Sequence, residues 1–252
     1  MEDHLKRQLR DLPYFRALIR SVEASYYQNL DLPEPVLDVG CGDGHFASLT
    51  FDQKIDAGID PAFSSLQETK RRRNYKILLQ AEGASIPVRG ETFSSAFSNS
   101  VLEHIPDIEP VLTEINRTLQ PGAPFYFCVP NERYLSELSI SKIFGKGYTE
   151  WFRRISRVEH ADGPDIWEAR LQRTGFLLEK WWHYFSPSAM RVLEWGHYFG
   201  LPSWIIRKTT GRWILVPENW NLRFLERIIR PYASPEAINS GVFTFYIARK
   251  RN

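Results

Sequence analysis

The apolar positions in the first half of the chain alternate between two spacings. Short apolar runs predict five β-strands, at 36–39, 55–59, 75–79, 93–98 and 124–129. Between them, apolar residues recur every three or four positions and predict helices over 43–49, 63–72 and 108–119. This alternation predicts an α/β fold, with a doubly wound, mostly parallel sheet and helices on both faces.

The flanking parts of the chain add further elements. Helical spacing covers residues 3–29, and Pro13 is expected to divide that stretch into two helices. Residues 165–173 are predicted to form a helix and residues 176–184 a strand. The alternating residues 242–248 predict a last strand.

The first predicted strand leads into three glycines, Gly40, Gly42 and Gly44, in the sequence VLDVGCGDGHF. Glycines at this place let the backbone approach a ligand at the carboxyl edge of a parallel sheet. A dinucleotide-binding turn reads G-x-G-x-x-G, whereas the third glycine here comes one residue early. Carboxylates at Asp38 and Asp43 would repel a pyrophosphate. The turn therefore suits a ligand that is cationic at this end, such as S-adenosylmethionine.

Two further acids fit the rest of such a ligand. Asp60 ends the second strand, where a carboxylate accepts hydrogen bonds from ribose hydroxyls. An acid at that place also suits a dinucleotide, so Asp60 alone does not discriminate. Glu82 follows the third strand and is placed to accept a hydrogen bond from the adenine amino group.

These segments resemble the class I S-adenosylmethionine-dependent methyltransferases, especially the group with a type 11 domain that contains ubiquinone- and menaquinone-biosynthesis enzymes. The resemblance is carried by VLDVGCGDGHFA, GIDPA, AEGASIPV, FSNSVLEHI and INRTLQPGAPFYFCVPN, which together lie within residues 36–131. It implies a Rossmann-like sheet of seven strands, the last two antiparallel, with S-adenosylmethionine as the cofactor. One departure is Glu82, where the family more often has Asp.

The resemblance also implies a set of cofactor-binding residues. They are Asp38, Gly40, Cys41, Gly42, Gly44, Phe46, Asp60, Pro61, Glu82, Gly83 and Asn99. Asp38 is expected to orient the glycine turn and the methionine ammonium, and Asp60 to hold the ribose. Glu82 and the Gly83 backbone are expected at the adenine, and the Asn99 carbonyl near the methionine end.

Methyl transfer from a sulfonium mainly requires positioning, and an oxygen or nitrogen acceptor can also require a base. His104, just after the fourth strand, is the candidate base. The Leu-Glu-His triplet accompanies many acceptors in the superfamily, which favours a structural role for it instead. We expect Tyr26, Tyr148 and the segment 195–204 to close an aromatic-walled acceptor pocket.

The insertions implied by the seven-strand pattern predict a cap on the sheet. The predicted division is 1–34 (N-terminal cap helices), 35–130 (cofactor-binding core), 131–163 (cap insertion), 164–184 (core), 185–240 (second cap insertion) and 241–252 (last strand and tail). Additions at the carboxyl edge of such a sheet would roof the pocket and select the acceptor.

Net charge, the length of apolar runs and the cysteines limit the possible classes of function. The 252 residues carry a net charge of +2, which does not indicate nucleic-acid binding. No apolar run reaches the ~18 residues of a membrane span. The two cysteines, Cys41 and Cys128, lack metal-ligand spacing, so we expect no metal site and reduced thiols in a cytoplasmic protein. The acceptor and the oligomeric state are left open.

The main hypothesis is methyl transfer to a small organic acceptor, at oxygen or nitrogen. One alternative places the same chemistry at a membrane surface, on a lipid or quinone intermediate, because residues 181–220 combine many aromatics with basic residues. Another is a protein that binds S-adenosylmethionine without methyl transfer. A nicotinamide-dependent oxidoreductase is disfavoured by the glycine spacing and the nearby acids.

Overall fold

The computed structural model describes residues 3–199, 201–210, 213–214 and 218–252. Its strands are β1 (Val36–Val39), β2 (Ile55–Asp60), β3 (Tyr75–Gln80), β4 (Ser95–Asn99), β5 (Pro124–Pro130), β6 (Phe176–Tyr184) and β7 (Phe243–Lys250). They form one seven-stranded sheet in the order β3–β2–β1–β4–β5–β7–β6. Strand β7 runs antiparallel to both of its neighbours, and the other pairs are parallel. The predicted fold class is confirmed.

The described helices are α1 (His4–Asp11), α2 (Tyr14–Tyr27), α3 (His45–Thr50), α4 (Phe63–Arg72), α5 (Ile108–Thr118), α6 (Arg133–Ser136), α7 (Ser141–Ser156), α8 (Pro164–Arg173), α9 (Pro187–Phe199), α10 (Leu201–Thr210) and α11 (Asn219–Ile229). Pro13 separates α1 from α2, as predicted. Helix α3 begins two residues later than predicted, because Gly44 has φ +69° and cannot continue a helix backwards. Among the described residues, no helix is both long and apolar enough to cross a membrane.

The central strands are buried on both faces. Every residue of β1, β4 and β5 is buried, as expected for strands with helices on each side. On one face, Phe127 stacks on Tyr246 with ring centroids 4.8 Å apart. On the other, Tyr27 of α2 packs against Phe97 and Phe245 at 5.6 and 5.1 Å. Helix α2 is therefore part of the core, directly over the sheet.

The segments outside the core sheet contact one another. Glu194 of α9 is fully buried and accepts hydrogen bonds from the Ser139 backbone N–H at 2.7 Å, the Ile140 N–H at 3.1 Å and the Tyr148 hydroxyl at 2.8 Å. One carboxylate thus joins the two predicted insertions, 131–163 and 185–240. The division of the chain into these segments stays an interpretation of the sequence.

Candidate functional site

The glycine turn after β1 adopts a backbone conformation that side chains disfavour. Gly40, Gly42 and Gly44 have φ values of +79°, +54° and +69°, in the left-handed region. A Cβ on Gly40 would lie 2.4 Å from a methyl carbon of Val101. The Gly42 N–H donates to an Asp60 carboxylate oxygen at 3.0 Å, which holds the turn against the end of β2. Backbone is therefore presented at the carboxyl edge of the sheet.

A cavity of about 400 Å³ opens beside this turn, and we call it the glycine-loop cavity. Its lining includes these residues predicted from the sequence: Asp38, Gly40, Cys41, Gly42, Phe46, Asp60, Asn99 and His104. It also includes residues that the sequence analysis did not select, among them Arg16, Arg20, Ser65, Glu68 and Arg207. The ends of β1, β2 and β4 meet α2, α4 and α10 around this one space.

Four predicted cofactor residues do not line the described part of this cavity: Gly44, Pro61, Glu82 and Gly83. Gly44 instead packs α3 against α4, since a Cβ there would lie 2.7 Å from a Thr69 methyl carbon. The Glu82 side chain is exposed. A Cβ on Gly83 would lie 3.0 Å from Val111. The predicted contacts of these four residues with the cofactor stay predictions.

Three carboxylates give the glycine-loop cavity an acidic part. Asp38 is almost fully buried, and burial raises its pKa to about 7 although the Tyr75 hydroxyl donates to it. Burial also opposes ionisation of Asp43, but the His45 N–H that donates to its carboxylate helps to hold its pKa below the usual value. Asp60 accepts from backbone N–H groups on both oxygens. This part of the cavity disfavours an anionic ligand.

Arginines give the same cavity a basic part. Arg20 donates to a Glu23 carboxylate oxygen at 2.9 Å and to the Asn99 backbone carbonyl at 3.3 Å. The Asn99 carbonyl predicted at the methionine end therefore already accepts one hydrogen bond. Arg207 lies 3.3 Å from Glu68, and Arg16 lines the cavity beside them. Acidic and basic groups in one cavity suit a ligand that carries both charges.

Glu23 connects α2 to the edge of the sheet. It is fully buried and accepts hydrogen bonds from Arg20, from the Asn99 amide at 2.9 Å, from the Ser100 hydroxyl at 2.8 Å and from the Tyr184 hydroxyl at 3.1 Å. The ends of β4 and β6 thus share one carboxylate. The sequence signal that could have revealed this face of α2 is the presence of three charged residues, Arg16, Arg20 and Glu23, in a largely apolar helix.

A second cavity of about 430 Å³, here the cap cavity, adjoins the first. Both cavities are lined by Arg16, Arg20 and His104, and these three residues form what we call the junction. The cap cavity has apolar walls from several elements, including Phe15, Ile19, Tyr134, Leu193 and Phe243. The two cavities provide adjacent spaces for two ligands.

His104 is held by the first cap insertion. Its Nδ1 lies 2.8 Å from the Arg157 backbone oxygen, and since a carbonyl only accepts, Nδ1 carries the proton. Its Nε2 lies 3.9 Å from Glu103. Burial lowers the pKa of His104 and raises the pKa of Glu103 to about 8. The Glu103 Oε2 atom has no hydrogen-bond partner among the described residues.

The structure does not bring Tyr26 or Tyr148 to either cavity within the described residues. The Tyr26 hydroxyl donates to the Pro235 carbonyl, and its ring packs on Trp182 and Tyr184. The Tyr148 hydroxyl is taken by Glu194. The contacts of Tyr26 and Tyr148 with an acceptor stay predictions, and His197 of the segment 195–204 lines the cap cavity. Gly200 and the side chain of Trp204 lie outside what the structure describes.

The comparisons with known proteins agree with this geometry. Residues 37–127 match the methyltransferase domain family. Over this segment the chain is similar to that family, in agreement with the resemblance carried by its motifs. A methyltransferase domain of this type uses S-adenosylmethionine, and its glycine turn, Asp60 and Asn99 all fall inside the matched segment.

Two curated relatives and one solved structure extend the comparison. A malonyl-acyl-carrier-protein O-methyltransferase of Salmonella typhimurium is 29% identical over 63% of this chain and 62% of its own length. A fatty-acid O-methyltransferase of Mycolicibacterium smegmatis is 30% identical over 39% of this chain and 38% of its own length. A methyltransferase structure from Thermotoga maritima covers 94% of this chain and 91% of its own, with TM-score 0.56 and 15% identity. The methyltransferase fold thus extends beyond the matched segment.

Proposed function

We propose that this chain is an S-adenosylmethionine-dependent methyltransferase that methylates an oxygen of a small organic acceptor. The observation that carries the proposal is the pair of adjoining cavities, one beside the glycine turn and one under the cap, with Arg16, Arg20 and His104 at their junction. The first cavity suits the cofactor and the second an acceptor. Transfer to oxygen is supported by the similarity to a malonyl-acyl-carrier-protein O-methyltransferase and to a fatty-acid O-methyltransferase.

The residues of the glycine-loop cavity fit the charges of the cofactor. The Asp38 carboxylate would accept hydrogen bonds from the methionine ammonium, and the Asp60 carboxylate retains acceptor capacity for ribose hydroxyls. S-adenosylmethionine supplies a methyl group that its sulfonium already activates. The chain's own contribution is to orient the two ligands and to exclude water from the junction. The buried thiols Cys41 and Cys128 support a reducing, cytoplasmic setting.

Replacing Asp60 with alanine is expected to weaken S-adenosylmethionine binding by about tenfold or more, because charge-assisted hydrogen bonds are worth ~1.5–3 kcal/mol. Isothermal titration calorimetry with S-adenosylmethionine and with NADH measures the effect. Asp52→Ala is the matched control, since Asp52 is an exposed aspartate in the turn before the same strand. Tight NADH binding with no S-adenosylmethionine signal would reject the proposed function.

His104→Ala is expected to lower the melting temperature by about 2–4 °C, because the loss of one hydrogen bond costs ~1 kcal/mol. Turnover per folded molecule should stay within about tenfold, measured on an acceptor found in a panel of acids, phenols, amines and quinones. His183→Ala also removes a ring-nitrogen hydrogen bond, to Thr244, and serves as the control. A fall in turnover of ~10²-fold or more would instead assign His104 as the base. Absence of transfer to the whole panel would favour a binding protein without catalysis.

A further inference from the structure

Arg16 is the junction arginine whose charge the structure leaves uncompensated. Its side chain is half-buried and lines both cavities. Among the described residues, its guanidinium has no hydrogen bond and no ion pair. Within the described part of the chain, the guanidinium packs over the ring of Trp213, and the Arg16 Cζ atom lies 5.7 Å from the ring centroid. The two neighbouring arginines differ, because Arg20 is paired with Glu23 and Arg207 with Glu68.

The surroundings of Arg16 destabilise the charged form of its guanidinium. Burial lowers the pKa of Arg16 to about 10, and the nearby charges of Arg20 and Arg207 act in the same direction, against a smaller opposing effect of Asp43. A desolvated guanidinium regains interaction energy when an anion arrives, and its planar fork matches a carboxylate through two parallel hydrogen bonds. The site is therefore arranged for an anionic group that the protein itself does not supply.

We propose that Arg16 binds a carboxylate at the junction of the two cavities. This inference rests on the proposed function and deepens it, because it names the chemistry of the group held beside the reacting atoms. The carboxylate has two sources, the methionine end of the cofactor or an acid acceptor in the cap cavity. The apolar walls of that cavity, such as Phe15, Ile19 and Phe243, suit an acid with a hydrocarbon body.

The first arm of the test concerns the cofactor. Calorimetry compares S-adenosylmethionine with decarboxylated S-adenosylmethionine, which lacks only the carboxylate, in the wild-type protein and in Arg16→Gln. If Arg16 binds the cofactor's carboxylate, the wild type should prefer S-adenosylmethionine by about tenfold or more, and Arg16→Gln should lose that preference. Arg207→Gln is the matched control, because it removes an equal charge from the same cavity where Glu68 already pairs it.

The second arm concerns the acceptor. The protein is saturated with S-adenosylhomocysteine and titrated with octanoate and with octanamide, and the titrations are repeated without nucleoside. If Arg16 binds an acid acceptor, octanoate should bind about tenfold or more tightly than octanamide in the wild type and equally in Arg16→Gln. Arg16→Lys, which keeps the charge without the fork, should restore part of the difference.

Stability separates this role from a structural one. Arg16→Gln should leave the melting temperature of the unliganded protein unchanged or higher, since it removes an uncompensated, half-buried charge. Unchanged ligand preferences in both arms would overturn the proposal about Arg16. Failure of the wild type to bind any nucleoside would instead reject the proposed function, and the titrations without nucleoside would still test Arg16.

Discussion

Replacing Glu23 with alanine is expected to lower the free energy of unfolding by about 3–5 kcal/mol, the cost of leaving one partner of a buried ion pair uncompensated. Burial alone would lower the pKa of Arg20, and the charge and hydrogen bond of Glu23 together with other nearby groups more than offset that effect. Without Glu23, the Arg20 guanidinium would lose its carboxylate, and the Asn99 amide and the Tyr184 hydroxyl would each lose an acceptor. The loss should therefore be cooperative.

Chemical denaturation of the Glu23 variants measures this loss. Glu150→Ala is the matched control, because Glu150 forms an exposed ion pair with Arg153 at the same three-residue spacing, and such surface pairs are worth ~1 kcal/mol or less. Glu23→Gln keeps the shape and one of the two accepting oxygens, so its loss should fall between the two. A loss for Glu23→Ala no larger than that for Glu150→Ala would contradict the role assigned to Glu23.

The parts of the site that the sequence predicted are those that local chain geometry determines. The turn at Gly40 requires positive φ, and Asp38 and Asp60 lie at the ends of adjacent parallel strands. Parallel strands place such ends at one edge of the sheet, so the sequence alone predicted that these two residues, 22 positions apart, lie close together. The antiparallel last pair of strands, which the family resemblance implied, is confirmed.

The basic part of the site depends on tertiary packing that local spacing does not encode. Arg20 meets Asn99 across 79 positions because α2 lies over the end of β4, and Arg207 reaches α4 from the second insertion. Helical spacing indicated an apolar face for residues 3–29 but not what that face covers. Aromatic content likewise did not distinguish Tyr26, which packs on the outer strands, from residues that line a cavity.

The affinity for S-adenosylmethionine is expected to depend on pH through Asp38. Burial raises the pKa of this carboxyl to about 7 in the unliganded protein, and the methionine ammonium binds its ionised form. Below that pKa the group must lose a proton on binding, so affinity should rise by about tenfold per pH unit from pH 5 to 6 and level off near pH 7. The ligand's ammonium stays protonated in this range, since an α-amino group ordinarily titrates near ~8.

Two variants of the same cavity separate this effect from general electrostatics. Asp38→Asn should bind weakly and lose the pH dependence, whereas Asp43→Asn should keep it, because the pKa of Asp43 is already below the usual value. Calorimetry at pH 6 in buffers of different ionisation enthalpy should show release of about one proton per bound ligand by the wild type and by Asp43→Asn. The same raised pKa predicts that the unliganded fold loses stability progressively as pH rises from about 4, near the group's ordinary pKa, to about 7, so the ligand should stabilise the protein most above that range. A flat affinity profile for the wild type would contradict the role assigned to Asp38, and a slope that persists in Asp38→Asn would show that another group causes the pH dependence.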